Sequence, residues 1–243
     1  MIEAYHRPST LEQALDLLDS DSVAVLAGGT SLIASDGPAA VVDLQDLGLD
    51  IIALDGDRLA VGAMTRLRDF AASDLVPQPL RRLAIREAPN TIRNAATIGG
   101  TIASGDPESE LLAGLLVYES AVTLTGQGGE STTGLPEYLS VRPGGIITGI
   151  SIATSGTASA QRTGRTPADR PIVLAVARRT ETGAVLLALT GVDSAPVLID
   201  PAAIPSLDPP ADFRGSASYR LHLAGILSAR AIAGLDQIVG EHP

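Results

Sequence analysis

Short aliphatic runs, many of them followed by a glycine or an Asp-Gly turn, recur along the chain, and only residues 216–235 carry a long helical pattern. Runs of this length between turn signals are typical of buried strands. A capping box at Ser9-Thr10-Leu11-Glu12 predicts a first helix, and residues 23–27 and 41–44 predict two strands after it. Together they indicate an α/β unit of about 50 residues.

Beyond residue 50 the pattern favours antiparallel pairing. The Asp55-Gly56 turn predicts a hairpin over residues 51–62, and Glu181-Thr182-Gly183 predicts another over residues 172–189. Residues 110–117 predict a helix, and residues 146–152 predict a strand. Two polar stretches rich in small residues, 126–134 and 154–170, are interpreted as a loop and a linker.

Composition excludes several classes of function. All 17 basic side chains are arginine, the net charge is −11, and there is no cysteine. Such an acidic chain disfavours nucleic acid as a partner. The missing residue types exclude a phosphate-binding lysine and any cluster or zinc ion ligated by cysteine. Three scattered histidines predict no metal site. No apolar run is long enough to span a membrane and no secretory leader is evident, so we expect a cytoplasmic protein without membrane contacts.

Two Gly-Gly pairs flanked by hydroxyl residues are the main candidates for a ligand site. The first glycine segment is Ala27-Gly28-Gly29-Thr30-Ser31, and the second glycine segment is Thr97-Ile98-Gly99-Gly100-Thr101. Glycines let backbone amides approach a ligand, and consecutive amides facing one concavity bind phosphate. The alternative is that both pairs only form tight turns. Neither segment matches the GxGxxG pattern of an ordinary Rossmann fold.

Other residues leave two interpretations open. Asp106 and Glu110 have the chemistry of an acid/base pair, but a helix N-terminus attracts carboxylates, so the sequence favours capping as the role of Asp106. Tyr118 and Tyr138 are candidates either for stacking on a ring or for core packing. Tyr219, Arg220 and Arg230 lie on the C-terminal helix, where a packed tyrosine and solvated arginines are the simpler interpretation.

The two glycine segments and their surroundings resemble the flavoprotein subunit of molybdenum hydroxylases, the family of the carbon monoxide dehydrogenase medium subunit and the xanthine dehydrogenase FAD domain. That family has an AGGT-type loop near its N-terminus, as in residues 27–32. It then has an IRN-x-A-T-I-GG segment followed by Pro and S-D-L, as in residues 92–102, Pro107 and residues 109–111. A C-terminal mark matches residues 212–214, Tyr219-Arg220 and Arg230. The aspartate of the family's S-D-L motif corresponds to Glu110 in this chain. Thr101 stands where the family usually has Asn or Asp.

The resemblance implies an α+β fold and bound FAD. The implied FAD-binding domain has two parts, a small N-terminal α/β subdomain at residues 1–50 and a larger mixed subdomain at residues 51–165. A C-terminal antiparallel sheet-plus-helix domain is implied at residues 170–243. Implied cofactor contacts are Ala27, Gly28, Gly29, Thr30, Ser31, Thr97, Ile98, Gly99, Gly100, Thr101 and Glu110. No catalytic side chain and no metal ligand is implied.

The resemblance also implies an oxidoreductase subunit. In this hypothesis FAD relays electrons from a molybdopterin-binding large subunit and a [2Fe–2S] small subunit to an acceptor, and the partner holds the clusters because the chain lacks cysteine. A second hypothesis is a self-contained FAD-dependent oxidoreductase that acts on a small molecule without a molybdenum partner. The departures at Thr101 and Glu110 also allow a third, a non-enzymatic assembly scaffold.

Overall fold

The computed structural model describes residues 2–19, 22–32, 39–166 and 169–239. Within these ranges the chain forms one parallel and two antiparallel sheets, with helices between and outside them. This is the α+β class that was predicted. In the first part the elements are β1 (Ala4–His6), α1 (Leu11–Leu17), β2 (Val23–Leu26) and β3 (Ala40–Asp43).

The first sheet is parallel, with β3 between β1 and β2. Helix α1 begins one residue later than predicted, because the Thr10 hydroxyl, not that of Ser9, accepts a hydrogen bond from the Gln13 amide (3.2 Å). The Gln13 side chain accepts in turn from the Ser9 amide at 3.2 Å. A short 3₁₀ helix, Gln45–Leu47, leads out of the sheet.

The second sheet is antiparallel, in the order β4-β5-β8-β6-β7. Its strands are β4 (Ile52–Asp55), β5 (Arg58–Gly62), β6 (Ala121–Gly126), β7 (Gly129–Gly134) and β8 (Ile146–Ala153). Between β5 and β6 lie α2 (Leu67–Ala72), α3 (Gln78–Glu87), α4 (Asn90–Arg93), α5 (Ile98–Ser104) and α6 (Glu110–Val117), and α7 (Leu135–Val141) precedes β8. The predicted loop at 126–134 was wrong, because its polar residues form the edge strand β7, paired with β6.

The third sheet is antiparallel, in the order β12-β11-β10-β9. It contains β9 (Thr157–Thr163), β10 (Val173–Arg179), β11 (Val185–Thr190) and β12 (Val197–Leu198), followed by the 3₁₀ helix Pro201–Ser206 and α8 (Ala217–Val239). The predicted linker at 154–170 was wrong, since β9 lies within it. Small side chains on β9 let α8 approach closely: a Cβ on Gly234 would lie 2.4 Å from the Ser159 hydroxyl oxygen.

Helix α6 joins the second and third sheets. All eight of its residues are buried, and it packs against β10 and β11. Strand β10 is buried on both faces: Leu174 and Val176 join the core around α6, whereas Val173, Ala175 and Ala177 join the core under α8. This alternation follows from the two-residue period of a strand. Helix α6 also packs against α3, which precedes it in the chain.

The division into residues 1–50, 51–165 and 170–243 stays a prediction. The three sheets follow the same order, but β9 of the third sheet begins at Thr157, inside the second range. Among the described residues, no helix is both long and apolar enough to cross a membrane. The same residues contain no group of three or more acidic, histidine or cysteine side chains that could hold a metal ion.

Candidate cofactor site

A cleft of about 530 Å³ lies between the first sheet and the helices that connect β5 to β6. It opens beyond the carboxyl ends of β2 and β3, the edge where open parallel sheets bind ligands. Residues 27–32 and Leu44 form this side of the cleft. The opposite side comes from α4, α5 and the connection between them, and Tyr138, Ile146 and Ile147 also line the cleft. Its size is within the range of small-molecule sites, about 300–1,000 Å³.

The first glycine segment is pressed against the chain between α4 and α5. A Cβ on Gly28 would lie 2.0 Å from the Ala95 carbonyl oxygen, which is backbone, so only glycine allows this approach. Gly29 has a φ of +69°, a left-handed conformation that other residues adopt at a cost. The two glycines therefore bring this segment to the cleft wall and turn the chain there.

The amides of the first glycine segment remain available to a ligand. Within the described part of the chain, those of Gly28, Gly29 and Thr30 donate to no protein acceptor, and the Thr30 and Ser31 hydroxyls have no protein partner. The three amides belong to consecutive residues that line the cleft. Three consecutive amides without a protein acceptor suit the binding of a phosphate group, which stays a prediction for this segment.

The second glycine segment is not the loop that was expected. It forms the first turn of α5, which the Thr97 hydroxyl caps by accepting from the Gly100 amide at 3.0 Å. The other three amides are also used: Ile98 donates to the Thr65 carbonyl (2.9 Å), Gly99 to Ala63 (2.8 Å) and Thr101 to Thr97 (2.9 Å). From Ile98 to Thr101 the second segment therefore has no free amide, and its two glycines leave that part of the wall without side chains.

Comparison with known proteins shows to which family the chain belongs. Residues 1–154 match the family model described as the FAD binding domain in molybdopterin dehydrogenase. The matched range includes both glycine segments and most of the chain. The chain belongs to this molybdopterin dehydrogenase FAD-binding family.

Relatives in this family match over nearly the full length of the chain. The protein YgfM of Escherichia coli K12, described as uncharacterized, is 30% identical over 98% of each chain. The carbon monoxide dehydrogenase medium chain of Afipia carboxidovorans is 29% identical over 94% of each chain. The crystal structure of Cu,Mo-CO dehydrogenase in its cyanide-inactivated form superposes with a TM-score of 0.86 at 27% identity, covering 97% of this chain and 98% of the other.

These matches confirm the expected flavoprotein fold, FAD as the cofactor, and an FAD-dependent oxidoreductase subunit as the class of protein. The cleft itself fits the group. Free amides and hydroxyls in the first segment suit phosphate oxygens, and the close approach of Gly28 to Ala95 leaves no room for a side chain there. Apolar side chains such as Ile146 and Ile147 also line the cleft. The residues assigned as contacts stay predictions.

Nine of the eleven predicted contact residues line the cleft: Ala27, Gly28, Gly29, Thr30, Ser31, Thr97, Gly99, Gly100 and Thr101. The Ile98 side chain is in the core instead. Glu110 is also outside the cleft lining, only 3% exposed, with its Oε1 atom 3.2 Å from the Arg162 Nε atom. Burial raises the pKa of this carboxyl and Arg162 opposes the rise. That Glu110 contacts the cofactor stays a prediction, and Glu110 is not among the residues that line the cleft.

The alternatives left open by the sequence resolve one residue at a time. Tyr138 lines the cleft, whereas Tyr118 is buried beneath the Arg178 guanidinium, 4.8 Å from its ring centre. Burial raises the pKa of Tyr118 to about 12. Asp106 does not cap α6, since the Ser109 hydroxyl does so through the Leu112 amide (3.1 Å).

The C-terminal family motif has a structural place. Arg220 is buried rather than solvated, which corrects the expectation: it donates to the Ile172 and Gly191 carbonyls at 2.7 and 2.9 Å and to Asp212 at 2.8 Å. The paired guanidinium holds the pKa of Asp212 below its usual range. Arg220 therefore ties α8 to the third sheet.

Sequence reasoning missed Glu87 and Arg170 as cleft residues. Both line the cleft together with Asp106, and the Arg170 guanidinium lies 2.5 Å from an Asp106 carboxylate oxygen. Glu87 ends α3, far along the chain from the other two, and no local motif marks it. Only the packing of α3 against α6 shows where it lies.

Proposed function

We propose that this chain is the flavin subunit of a molybdenum hydroxylase. In this role it relays electrons from a molybdopterin and iron–sulfur partner, through FAD in the described cleft, to an acceptor. The observation that carries the proposal is the row of free amides in the first glycine segment, whose residues line a cleft of cofactor size in a chain of this family.

The chain's own residues would hold and shield the cofactor. The amides of residues 28–30 would bind the phosphates, and Gly99 and Gly100 would let the cofactor lie against the backbone of α5. Tyr138, Ile146 and Ile147 would exclude water from the part of the cleft that they line. Bound FAD supplies chemistry in both one- and two-electron steps, which suits a relay between a cluster and a two-electron reaction.

Composition supports a multi-subunit assembly. The chain has no cysteine and therefore no ordinary ligands for an iron–sulfur cluster. Relatives that match it over nearly their whole length are the medium chain of carbon monoxide dehydrogenase and a subunit of a 6-hydroxypseudooxynicotine dehydrogenase complex. We infer that a molybdopterin-binding large subunit and a [2Fe–2S] small subunit are its partners.

Purification of the tagged chain from its own host tests the proposal. The expected result is a complex that contains molybdopterin, iron and FAD, with one FAD for each copy of this chain. A chain that elutes alone with FAD and oxidises a small molecule would overturn the relay in favour of the self-contained enzyme. A colourless chain that takes up no added FAD would overturn both and favour the scaffold.

A further inference from the structure

Three charged side chains line the cleft, and their pairing is unequal. Asp106 and Arg170 are ion-paired with each other, at 2.5 Å between Arg170 Nη1 and Asp106 Oδ2. Glu87 has no ion-pair partner among the described residues. Within the described part of the chain, the cleft therefore carries one carboxyl group that is in no ion pair.

Contacts with α6 hold the Glu87 carboxyl in place. Its Oε2 atom accepts from the Leu111 amide at 2.8 Å. Leu111 and Ser109 are fully buried, so this end of α6 is a rigid support. Glu87 thus faces the cleft from a fixed position at the end of α3.

The surroundings of Glu87 act on its protonation in opposite directions. Burial is the largest influence and raises the pKa of the carboxyl above its ordinary value. The Leu111 amide, the Ser109 hydroxyl and the charge of Arg170 lower that pKa, whereas the charge of Asp106 raises it. A further negative charge in the cleft would raise it again.

Reduction of FAD delivers such a charge. Two electrons with one proton leave the reduced cofactor negatively charged, and a second proton is needed to keep the cleft's charge constant. We propose that Glu87 takes up this second proton when FAD in the cleft is reduced, so that a protein carboxylate and the cofactor each gain one proton for every electron pair. The inference rests on the placement of FAD in this cleft under the proposed function.

The balance of the step is simple. An external reductant provides two electrons, and water provides two protons. One proton goes to the flavin ring system and the other to a carboxylate oxygen of Glu87, and no other bond forms or breaks. Reoxidation by the acceptor returns both protons to solvent.

The midpoint potential of bound FAD, measured as a function of pH, tests the proposal on the FAD-loaded protein. In the wild type this dependence should include a pH interval in which two protons are taken up per electron pair. In Glu87→Gln, which keeps an oxygen for the Leu111 amide, uptake in that interval should fall to one proton. One proton fewer per electron pair reduces the slope by about 30 mV per pH unit.

Glu130→Gln is the matched control, because Glu130 is exposed on β7 and lies outside the cleft lining. It should keep the wild-type slope. An unchanged slope in Glu87→Gln would overturn the proposal. Should Glu87→Gln fold poorly, the infrared difference spectrum of wild-type protein, reduced minus oxidised, decides instead: a new protonated-carboxyl band supports the proposal, and its absence overturns it.

The Gly28→Ala variant separates this inference from the proposed function. If FAD lies in the cleft, Gly28→Ala binds FAD more weakly whatever Glu87 does. Weaker FAD binding in Gly28→Ala with an unchanged slope in Glu87→Gln would refute only the role of Glu87. Wild-type FAD affinity in Gly28→Ala would refute the placement on which both depend.

Discussion

The two glycine segments share a dipeptide and flanking hydroxyl residues but differ in what their backbones do. In the first, three consecutive amides donate to no protein acceptor among the described residues, and the glycines bring the chain against Ala95. In the second, every amide from Ile98 to Thr101 is used to build or anchor α5. We infer that the first segment binds the ligand through hydrogen bonds and that the second shapes the wall of the cleft.

Gly28→Ala should have the largest effect on this comparison. Its Cβ would meet the Ala95 carbonyl at 2.0 Å, and because the obstacle is backbone, the two segments must move apart. Overpacking of this kind costs about 1–3 kcal/mol, or roughly 5- to 150-fold in an equilibrium constant. We expect the Kd of FAD for the apoprotein, followed by fluorescence quenching, to rise within this range, by roughly 5- to 150-fold.

Gly128→Ala is the control, since a Cβ there meets nothing within 4 Å. It should bind FAD as the wild type does. Wild-type affinity in Gly28→Ala would contradict the assignment of the first segment.

Gly99→Ala should mainly destabilise the fold. Its Cβ would lie 2.7 Å from the Ala63 Cβ, a cost of about 1–3 kcal/mol that the higher helix propensity of alanine offsets by about 1 kcal/mol. Gly100→Ala has the same propensity gain but meets only the Thr97 hydroxyl oxygen, at 3.1 Å. Urea unfolding of the apoprotein should show a lower free energy of unfolding for Gly99→Ala than for Gly100→Ala, and equal values would argue against a packing role for Gly99.

Thr97→Val removes the cap of α5 and should lower the free energy of unfolding by about 1 kcal/mol. The physical reason is that the Gly100 amide loses its acceptor. Chemical denaturation of the apoprotein measures the change. A variant as stable as the wild type would show that this cap contributes nothing.

Thr30→Val is the same substitution in the first segment. In contrast to Thr97→Val, it should weaken FAD binding without lowering the free energy of unfolding, and its effect should be the smallest of those predicted. Thr30 makes no hydrogen bond to the described protein, so the free energy of unfolding should stay constant. Loss of one hydroxyl partner for FAD should raise the Kd by roughly two- to tenfold. A stability loss without a change in Kd would reverse the roles inferred for the two segments.

The sequence predicted the elements whose signals are local. The helix at 110–117 and the two hairpins follow from apolar spacing and turn residues, and the structure has them at those positions. Strands β7 and β9 were missed, because their small polar residues become strands only through pairing with β6 and β10. Such pairing is a tertiary effect that propensity alone does not contain.

Only part of the candidate site could be predicted from the sequence. The glycine segments have a visible pattern, and a family resemblance brought them together. That Thr97 caps a helix was also visible in principle, since threonine three residues before a glycine amide is an ordinary cap. Glu87 was not predictable, because it reaches the cleft through the packing of α3 on α6, 24 residues away from its partner Leu111 along the chain.

Amide hydrogen exchange, resolved by residue in the apoprotein and the FAD-loaded protein, tests the central claim most directly. The amides of Gly28, Gly29 and Thr30 should exchange fast without FAD and become protected when it binds. Those of Ile98, Gly99, Gly100 and Thr101 should be protected in both states, because protein carbonyls or the Thr97 hydroxyl already accept from them. Protection gained in the second segment while the first stays fast would contradict the account.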